Sequence, residues 1–371
     1  MAKNEYGFGA RLLHHLALSS RAVAELSFQI DQVLRRTEPA PALDKRHIFV
    51  SGLARAGTTA IMRLVYATGR FCSLTYRDMP FPLAPFLWRK TLLGCSAREG
   101  DMRERAHGDR MLVSFDSPEA LEEVFWRVFC GQRYILPDSL IPMQADSKSI
   151  ALFQKYIARL MEIDGADRYL SKNNNNILRL FSIQEAFPQA LIIIPFRDPI
   201  QQSLSLLAQH RHFCQVHSQD PFSRKYMQWL VHHEFGSDHR PFQVDEQPSA
   251  HLPESPSYWL EQWVRVYRFV LQQARRMDQA VFFVEYEKLC ADPAGVWKAL
   301  ARRADLPENL PADFVLSQAP AREGFLAEPG LYQQAQTIHR QLQKWSQDAV
   351  HGPNGPKSKA YLGCKEVMAG F

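Results

Sequence analysis

Arg55, Thr58 and Thr59 close the segment Ile48-Phe-Val-Ser-Gly-Leu-Ala-Arg-Ala-Gly-Thr-Thr59. A cation followed by two hydroxyls at the mouth of a helix is equipment for holding an anion. The apolar run, the turn bounded by Gly52 and Gly57, and the apolar-periodic stretch that follows predict a strand–loop–helix unit. Successive N–H groups of such a unit, including those of Ala56 and Gly57, turn toward a phosphate-like group together with the helix N-terminus. The two glycines stand where a Walker A loop places its own, yet Thr58 occupies the lysine position and Thr59 follows where the magnesium-binding hydroxyl would be. Arg55 is the only cation in the loop, which argues against ordinary nucleoside triphosphate hydrolysis. Helix capping alone would also suit Thr58 and Thr59, and the two readings are compatible.

A second anion site is suggested by Leu191-Ile-Ile-Ile-Pro-Phe-Arg-Asp-Pro-Ile-Gln-Gln-Ser-Leu-Ser205. Arg197 ends an apolar strand, Asp198-Pro199 offers an N-cap and an N1 proline, and Ser205 follows on the next helix. A guanidinium grips a phosphate through two parallel hydrogen bonds; the competing reading is a strand-end salt bridge, for instance to Asp198. Pro195 weakens pairing and predicts a strand shorter than the apolar run. By itself Lys172, beside Asn173–Asn176, reads as a solvated lysine, and Tyr286 as core at the end of its strand. His210, Cys214 and His217, with His212 nearby, share a predicted helix face and have zinc-ligand chemistry. No Cys-x-x-Cys or His-Glu-x-x-His spacing accompanies them, and no metal is expected.

Taken in order, these segments resemble the sulfotransferases that use 3′-phosphoadenosine 5′-phosphosulfate (PAPS). Arg55-Ala-Gly-Thr-Thr59 is similar to that family's 5′-phosphosulfate loop, and Arg197 with Ser205 to its 3′-phosphate motif. Tyr169-Leu-Ser-Lys-Asn-Asn-Asn-Asn-Ile-Leu-Arg-Leu180 resembles its Lys-Asn segment, and Phe283-Val-Glu-Tyr-Glu-Lys-Leu-Cys-Ala-Asp-Pro293 its late strand ending in Tyr-Glu-x-Leu. The similarity covers roughly residues 46–305.

The resemblance implies sulfuryl transfer from PAPS to an acceptor hydroxyl, on a small molecule or glycan. Arg55 would face the leaving phosphate and Lys172 the sulfuryl group. Ala56, Gly57, Thr58 and Thr59 would hold the phosphosulfate, and Arg197, Ser205 and Tyr286 the rest of the nucleotide. Donors aimed at the bridging and equatorial oxygens should dominate such a reaction, and the acceptor proton needs a base. The protein-tyrosine branch has an acidic residue after the second strand, where Asp78 is the nearest acid here; Asp116, Glu122 and Glu123 are the alternatives. The cytosolic branch has a histidine two residues after the lysine, and here that position is Asn174. An ATP-dependent phosphotransferase and a non-catalytic nucleotide-binding protein are the competing classes; the missing Walker lysine opposes the first, and the retention of Arg55 and Lys172 opposes the second.

The elements that must position these residues follow from periodicity. Residues 8–36 predict one amphipathic helix with Leu12, Leu16, Val23, Leu26, Ile30 and Val33 on its packed face. Pro39 and Pro41 then stop it before the first strand. Strands are expected at 47–51, near 71–75, 168–171, 190–196 and 281–285, separated by helical pattern, which implies parallel pairing through helical crossovers. The fold class is therefore α/β: a P-loop NTPase-like three-layer arrangement with a central parallel sheet. Residues 1–45 form a helical extension and linker, 46–348 the sulfotransferase domain, and 349–371 an irregular tail. Two insertions, about 79–166 and 206–278, are mostly helical, and the polar stretch 236–253 is a loop placed to cover the site.

At 371 residues and 46% hydrophobic content the chain buries a large core. Its 44 basic against 39 acidic residues form no Lys/Arg block of the kind that binds nucleic acid. Six widely spaced cysteines read as reduced thiols. No apolar run approaches the ~20 residues that span a bilayer, and the N-terminus lacks the order of a secretory signal. The expected location is cytoplasmic.

Overall fold

Branched and aromatic runs such as Ile48-Phe-Val become strands that are buried on both sides, so their side chains show no polar alternation. The computed structural model describes residues 7–34, 42–91, 103–104, 112–113, 118–311, 314, 316, 321–322 and 325–351. Its strands are β1 (Ile48–Val50), β2 (Phe71–Cys72), β3 (Arg103–Glu104), β4 (Leu112–Val113), β5 (Arg168–Lys172), β6 (Leu191–Phe196) and β7 (Val281–Glu285). The central sheet has the order β2-β5-β1-β6-β7, and every pairing in it is parallel. β3 and β4 form a separate antiparallel pair. The chain leaves β1 toward β2 and later returns to its other side through β6, so the loop after β1 opens at the point where a doubly wound sheet binds its ligand.

Helices α1 (Phe8–Ser19), α2 (Arg21–Val33), α3 (Thr58–Tyr66), α4 (Pro85–Arg89), α5 (Glu123–Tyr134) and α6 (Ser147–Asp164) come first. They are followed by α7 (Leu180–Ala186), α8 (Pro199–Gln219), α9 (Pro221–Trp229), α10 (Pro256–Ala274), α11 (Tyr286–Ala291), α12 (Pro293–Ala304) and α13 (Pro329–His351). One face of the sheet, with Val50, Ile193 and Val284, packs on Ile61 and Val65 of α3 and Trp297 of α12. The other face, with Phe49, Ile194 and Phe283, packs on Phe153 of α6, Trp263 and Tyr267 of α10 and Leu342 of α13. This is the expected three-layer α/β architecture. The packing of α13 on β7 and α10 has no counterpart in the sequence motifs.

Several expectations are corrected. The N-terminal segment is two helices, because Ser20 is extended (φ −103°, ψ 121°) and its hydroxyl accepts from Val23 N to start α2. The predicted packed face is the exposed one: Leu16 is 56% and Val33 80% exposed, and Leu12, Val23, Leu26 and Ile30 are exposed as well. The buried face carries His14, Ala17, Leu18, Ala24, Phe28 and Asp31. Polar anchors select it, since Asp31 Oδ1 accepts from Leu87 N (2.8 Å) and the Leu18 carbonyl accepts from Arg127 (2.8 Å). β6 runs through Pro195 instead of ending early. Pro195 lies against Gly52 on the β1 side, where β1 has already turned into its loop, so the missing N–H costs no ladder bond. Pro39, Pro41, Asp116 and residues 352–371 lie outside the described residues, whereas the start of the expected tail is the end of α13.

Candidate active site

Three residues of the loop between β1 and α3, Gly52, Arg55 and Gly57, have positive φ. Gly52 has φ +148°, and a Cβ there would stand 3.2 Å from the Pro195 carbonyl oxygen; Gly57 has φ +92°, and its Cβ would meet the Tyr286 ring at 2.7 Å. Arg55 takes the left-handed conformation at φ 69° without being glycine, a state that costs on the order of 1–3 kcal/mol and persists only where its surroundings impose it. The N-cap of α3 is Gly57, which has no side chain to cap it, so neither threonine serves as N-cap. Thr58 and Thr59 instead sit in the first turn, where N–H groups and the helix dipole favour an anion.

The strained Arg55 aims its guanidinium at helix α8: Nε donates to Ser205 Oγ at 3.1 Å. Residues 150 positions apart are thereby joined at the mouth of the loop. Arg197, at the end of β6, is 6% exposed and lies 5.0 Å above the Tyr286 ring. Its Nε stands 3.5 Å from Glu287 Oε1 and has no hydrogen-bond partner. Glu287 Oε1 accepts from Asp198 N (3.2 Å), and burial pushes this carboxyl up against the opposing backbone bonds and Arg197. Asp198 itself caps α8 through Gln201 N (2.9 Å), so the strand-end partner of Arg197 is Glu287 and not Asp198. Arg55 is thus bonded to Ser205, and Arg197 lies over Tyr286, whose ring packs against Gly57 two residues after Arg55.

Lys172 ends β5 in register with Val50, the last residue of β1. It is 6% exposed and not a solvated lysine; its Nζ lies 3.5 Å from Glu119 Oε1. Glu119 also accepts from Tyr76 Oη (3.0 Å) and Ala120 N (3.1 Å), while its own N–H bonds to the Leu74 carbonyl (3.0 Å). No motif pointed to Glu119; its proximity to Lys172 arises because the segment before α5 bridges back to Thr75, just after β2.

The asparagine run after Lys172 is a junction. Asn173 donates to Glu123, Asn174 to Glu234 (2.8 Å), Asn175 to the Val231 carbonyl (3.1 Å) and Asn176 to Glu122 (3.2 Å) and Ser171 (3.1 Å). Val231 has φ 53°, unusual for a β-branched residue. Burial alone would raise the Glu234 carboxyl, but His232 and the Asn174 amide outweigh it and hold the carboxyl at about 2. Glu122 and Glu123 are fully buried and engaged, Glu122 by Tyr169 and Glu123 by Tyr134 and Arg179. Burial raises Glu122, opposed by those hydrogen bonds.

Asp78 is placed differently from a base. It is 0% exposed, both oxygens accept from Arg89 (2.7 and 3.1 Å), and Oδ2 also accepts from Thr75 N (2.9 Å). Those bonds spend the carboxylate on closing the turn after β2. His210 faces Cys214 Sγ (3.6 Å) and the Trp259 ring, and His217 Nε2 contacts Met227 Sδ (3.1 Å). Among the described residues no three or more His, Cys, Asp or Glu side chains form a group that could hold a metal ion. The stretch after α9 runs beside the loop: a narrow cleft is lined by Leu53, Ala54, Glu234, Arg240, Phe242 and Trp259.

A family profile described as the sulfotransferase family matches residues 47–245, more than half of the chain. The chain belongs to the sulfotransferase family. Among solved structures this sulfotransferase is similar to sulfotransferase STF1 from Mycobacterium tuberculosis, at 16% identity over 89% of this chain and 81% of that one, with a TM-score of 0.49. STF9 from Mycobacterium avium matches at 16% identity over 94% and 80%, TM-score 0.47. Retinol dehydratase, solved with retinol and PAP, matches at 13% identity over 88% and 87%, TM-score 0.27. At these scores the structural likenesses add no argument of their own, and the assignment rests on the family match. A search of curated proteins finds no match. No helix among the described residues of this sulfotransferase is long and apolar enough to cross a membrane.

Proposed function

We propose that this sulfotransferase takes its sulfuryl group from PAPS and passes it to the hydroxyl of a glycan or other small metabolite. The observation that carries the reading is the hydrogen bond from Arg55 Nε to Ser205 Oγ, together with the buried donor Arg197 Nε, whose guanidinium lies over the Tyr286 ring that packs against Gly57 of the same loop. Two guanidiniums and a hydroxyl at the end of a parallel sheet suit a nucleotide with a phosphate on each side of its ribose. In this reading Arg197 and Ser205 hold the 3′-phosphate and Tyr286 supports Arg197. Gly57 with the first-turn N–H groups and hydroxyls of Thr58 and Thr59 holds the 5′-phosphosulfate. Arg55 meets the charge that grows on the leaving phosphate, and Lys172 meets the sulfuryl oxygens.

The test is a thermal-shift comparison of adenosine 3′,5′-bisphosphate (PAP) with ADP and with ATP plus magnesium. PAP is expected to stabilise the fold most, by about 2.7 kcal/mol at one hundred times its dissociation constant. An equal shift from ADP, or a larger one from ATP with magnesium, overturns the donor assignment.

A further inference from the structure

We propose that Glu119 is the general base of the transfer reaction, in place of an acid after the second strand; the assignment rests on the PAPS reading above. The position that resemblance nominates is Asp78, and that carboxylate is fully buried with both oxygens bound by Arg89 and one also by the Thr75 amide. Glu122 and Glu123, next along the chain, are consumed in the same way by Tyr169 and by Tyr134 with Arg179. Glu234 accepts from the Asn174 amide and is paired with His232 at 3.5 Å. Glu119 alone among these carboxylates touches Lys172, with Oε1 at 3.5 Å from Nζ.

Geometry then defines the role. If Lys172 Nζ contacts an equatorial oxygen of the sulfuryl group, an oxygen 3.5 Å from that same nitrogen is within one hydroxyl of the sulfur. Ala120 N donates to Oε1, the oxygen that faces Lys172, Tyr76 Oη donates to Oε2, and the bond from Glu119 N to the Leu74 carbonyl ties its backbone to the segment that follows β2. The base is therefore fixed to the sheet by a segment independent of the phosphate loop. In the step, an acceptor oxygen forms a bond to sulfur with its lone pair, and the bond from sulfur to the bridging oxygen breaks. That electron pair leaves with the 5′-phosphate of PAP, and the acceptor proton passes to the Glu119 carboxylate and on to solvent.

The experiment measures PAP formation from PAPS across pH 5 to 9, with water and with 4-nitrophenol as acceptors, alongside the thermal shift given by PAP. Glu119→Gln is expected to keep the PAP shift, to lose about 10²- to 10⁴-fold in turnover, and to lose the acidic limb of the pH–rate profile. Glu119→Asp, which keeps the charge beside Lys172 but withdraws the oxygen, is expected to turn over slowly with the limb retained, and it serves if the glutamine variant does not fold. A Glu119→Gln enzyme with unchanged turnover, or one whose loss is confined to a raised KM for PAPS with the acidic limb intact, overturns the assignment. So does loss of the limb in Glu234→Gln with Glu119→Gln unaffected. A wild type that binds PAP but leaves PAPS intact with both acceptors overturns it as well, whereas a wild type that does not prefer PAP over ADP fails the donor reading itself.

Discussion

Arg55 and Arg197 are both arginines near a phosphate site, yet their surroundings give them different work. Arg55 sits in a strained turn whose backbone conformation aims it across the loop mouth to Ser205. A side chain held this rigidly needs little reorganisation when charge develops on a leaving group. Arg197 is instead clamped from below by Tyr286 and flanked by Glu287, an arrangement that holds a static anion. Arg197→Ala is accordingly expected to weaken PAP binding, read by titration calorimetry, while turnover at saturating PAPS changes little. Arg55→Ala is expected to leave PAP bound and to cost turnover about 10²- to 10³-fold, the scale of losing one oxyanion donor. Similar effects of the two variants on both quantities would contradict the division of labour.

At the scale of elements, β5 and the turn after it are held by α5. Arg179 lies between the rings of Trp126 and Tyr134, both on α5, and pairs with Glu123 while being completely buried. Asn173 donates to that same carboxylate, so the position of Lys172 depends on a charge pair beneath it. Removing one partner of a buried pair leaves the other charged and desolvated. Glu123→Ala is expected to lower stability by about 3–5 kcal/mol, measured as the shift in the urea midpoint, and to reduce transfer in whatever protein remains folded. A cost under about 1 kcal/mol, the scale of an exposed pair, would show that the network contributes little.

For the whole molecule, buried histidines set an acid limit. Burial holds His47 and His239 at about 4 against an ordinary value of 6.5, with backbone carbonyls of Ala42 and His233 opposing the shift. His47 Nδ1 accepts from Tyr169 N (3.0 Å), a bond that protonation would remove. These rings stay neutral in the fold while the unfolded chain takes up protons below about 6.5, so stability is full above that pH and falls as the pH drops toward about 4. Each unit of difference is worth about 1.4 kcal/mol per histidine. Urea unfolding at pH 7, 6 and 5 should show this decline, and His239→Gln should flatten it. The depressed Glu234 adds a second loss only at lower pH, below about 4.5 and through about 2. Stability that stays constant between pH 6.5 and 4.5 would refute the neutral-histidine account.

The sequence by itself determined what depends on neighbours along the chain. The loop after β1 was legible because Gly52 and Gly57 permit backbone angles that other residues resist and because a cation and two hydroxyls follow at fixed spacing. The parallel sheet was legible because apolar runs alternate with helical pattern. Contacts between distant segments were not legible, since periodicity carries no partner. Nothing local distinguishes Asp78, which Arg89 consumes, from Glu119, which the bridge between Thr75 and Pro118 brings to Lys172. Four consecutive asparagines read as a polar turn, whereas tertiary folding surrounds each with a different acceptor. The N-terminal stripe is ambiguous for the same reason. Both faces of those helices carry apolar side chains, and only the anchoring of Asp31 and the Leu18 carbonyl by α4 and α5 decides which face turns inward.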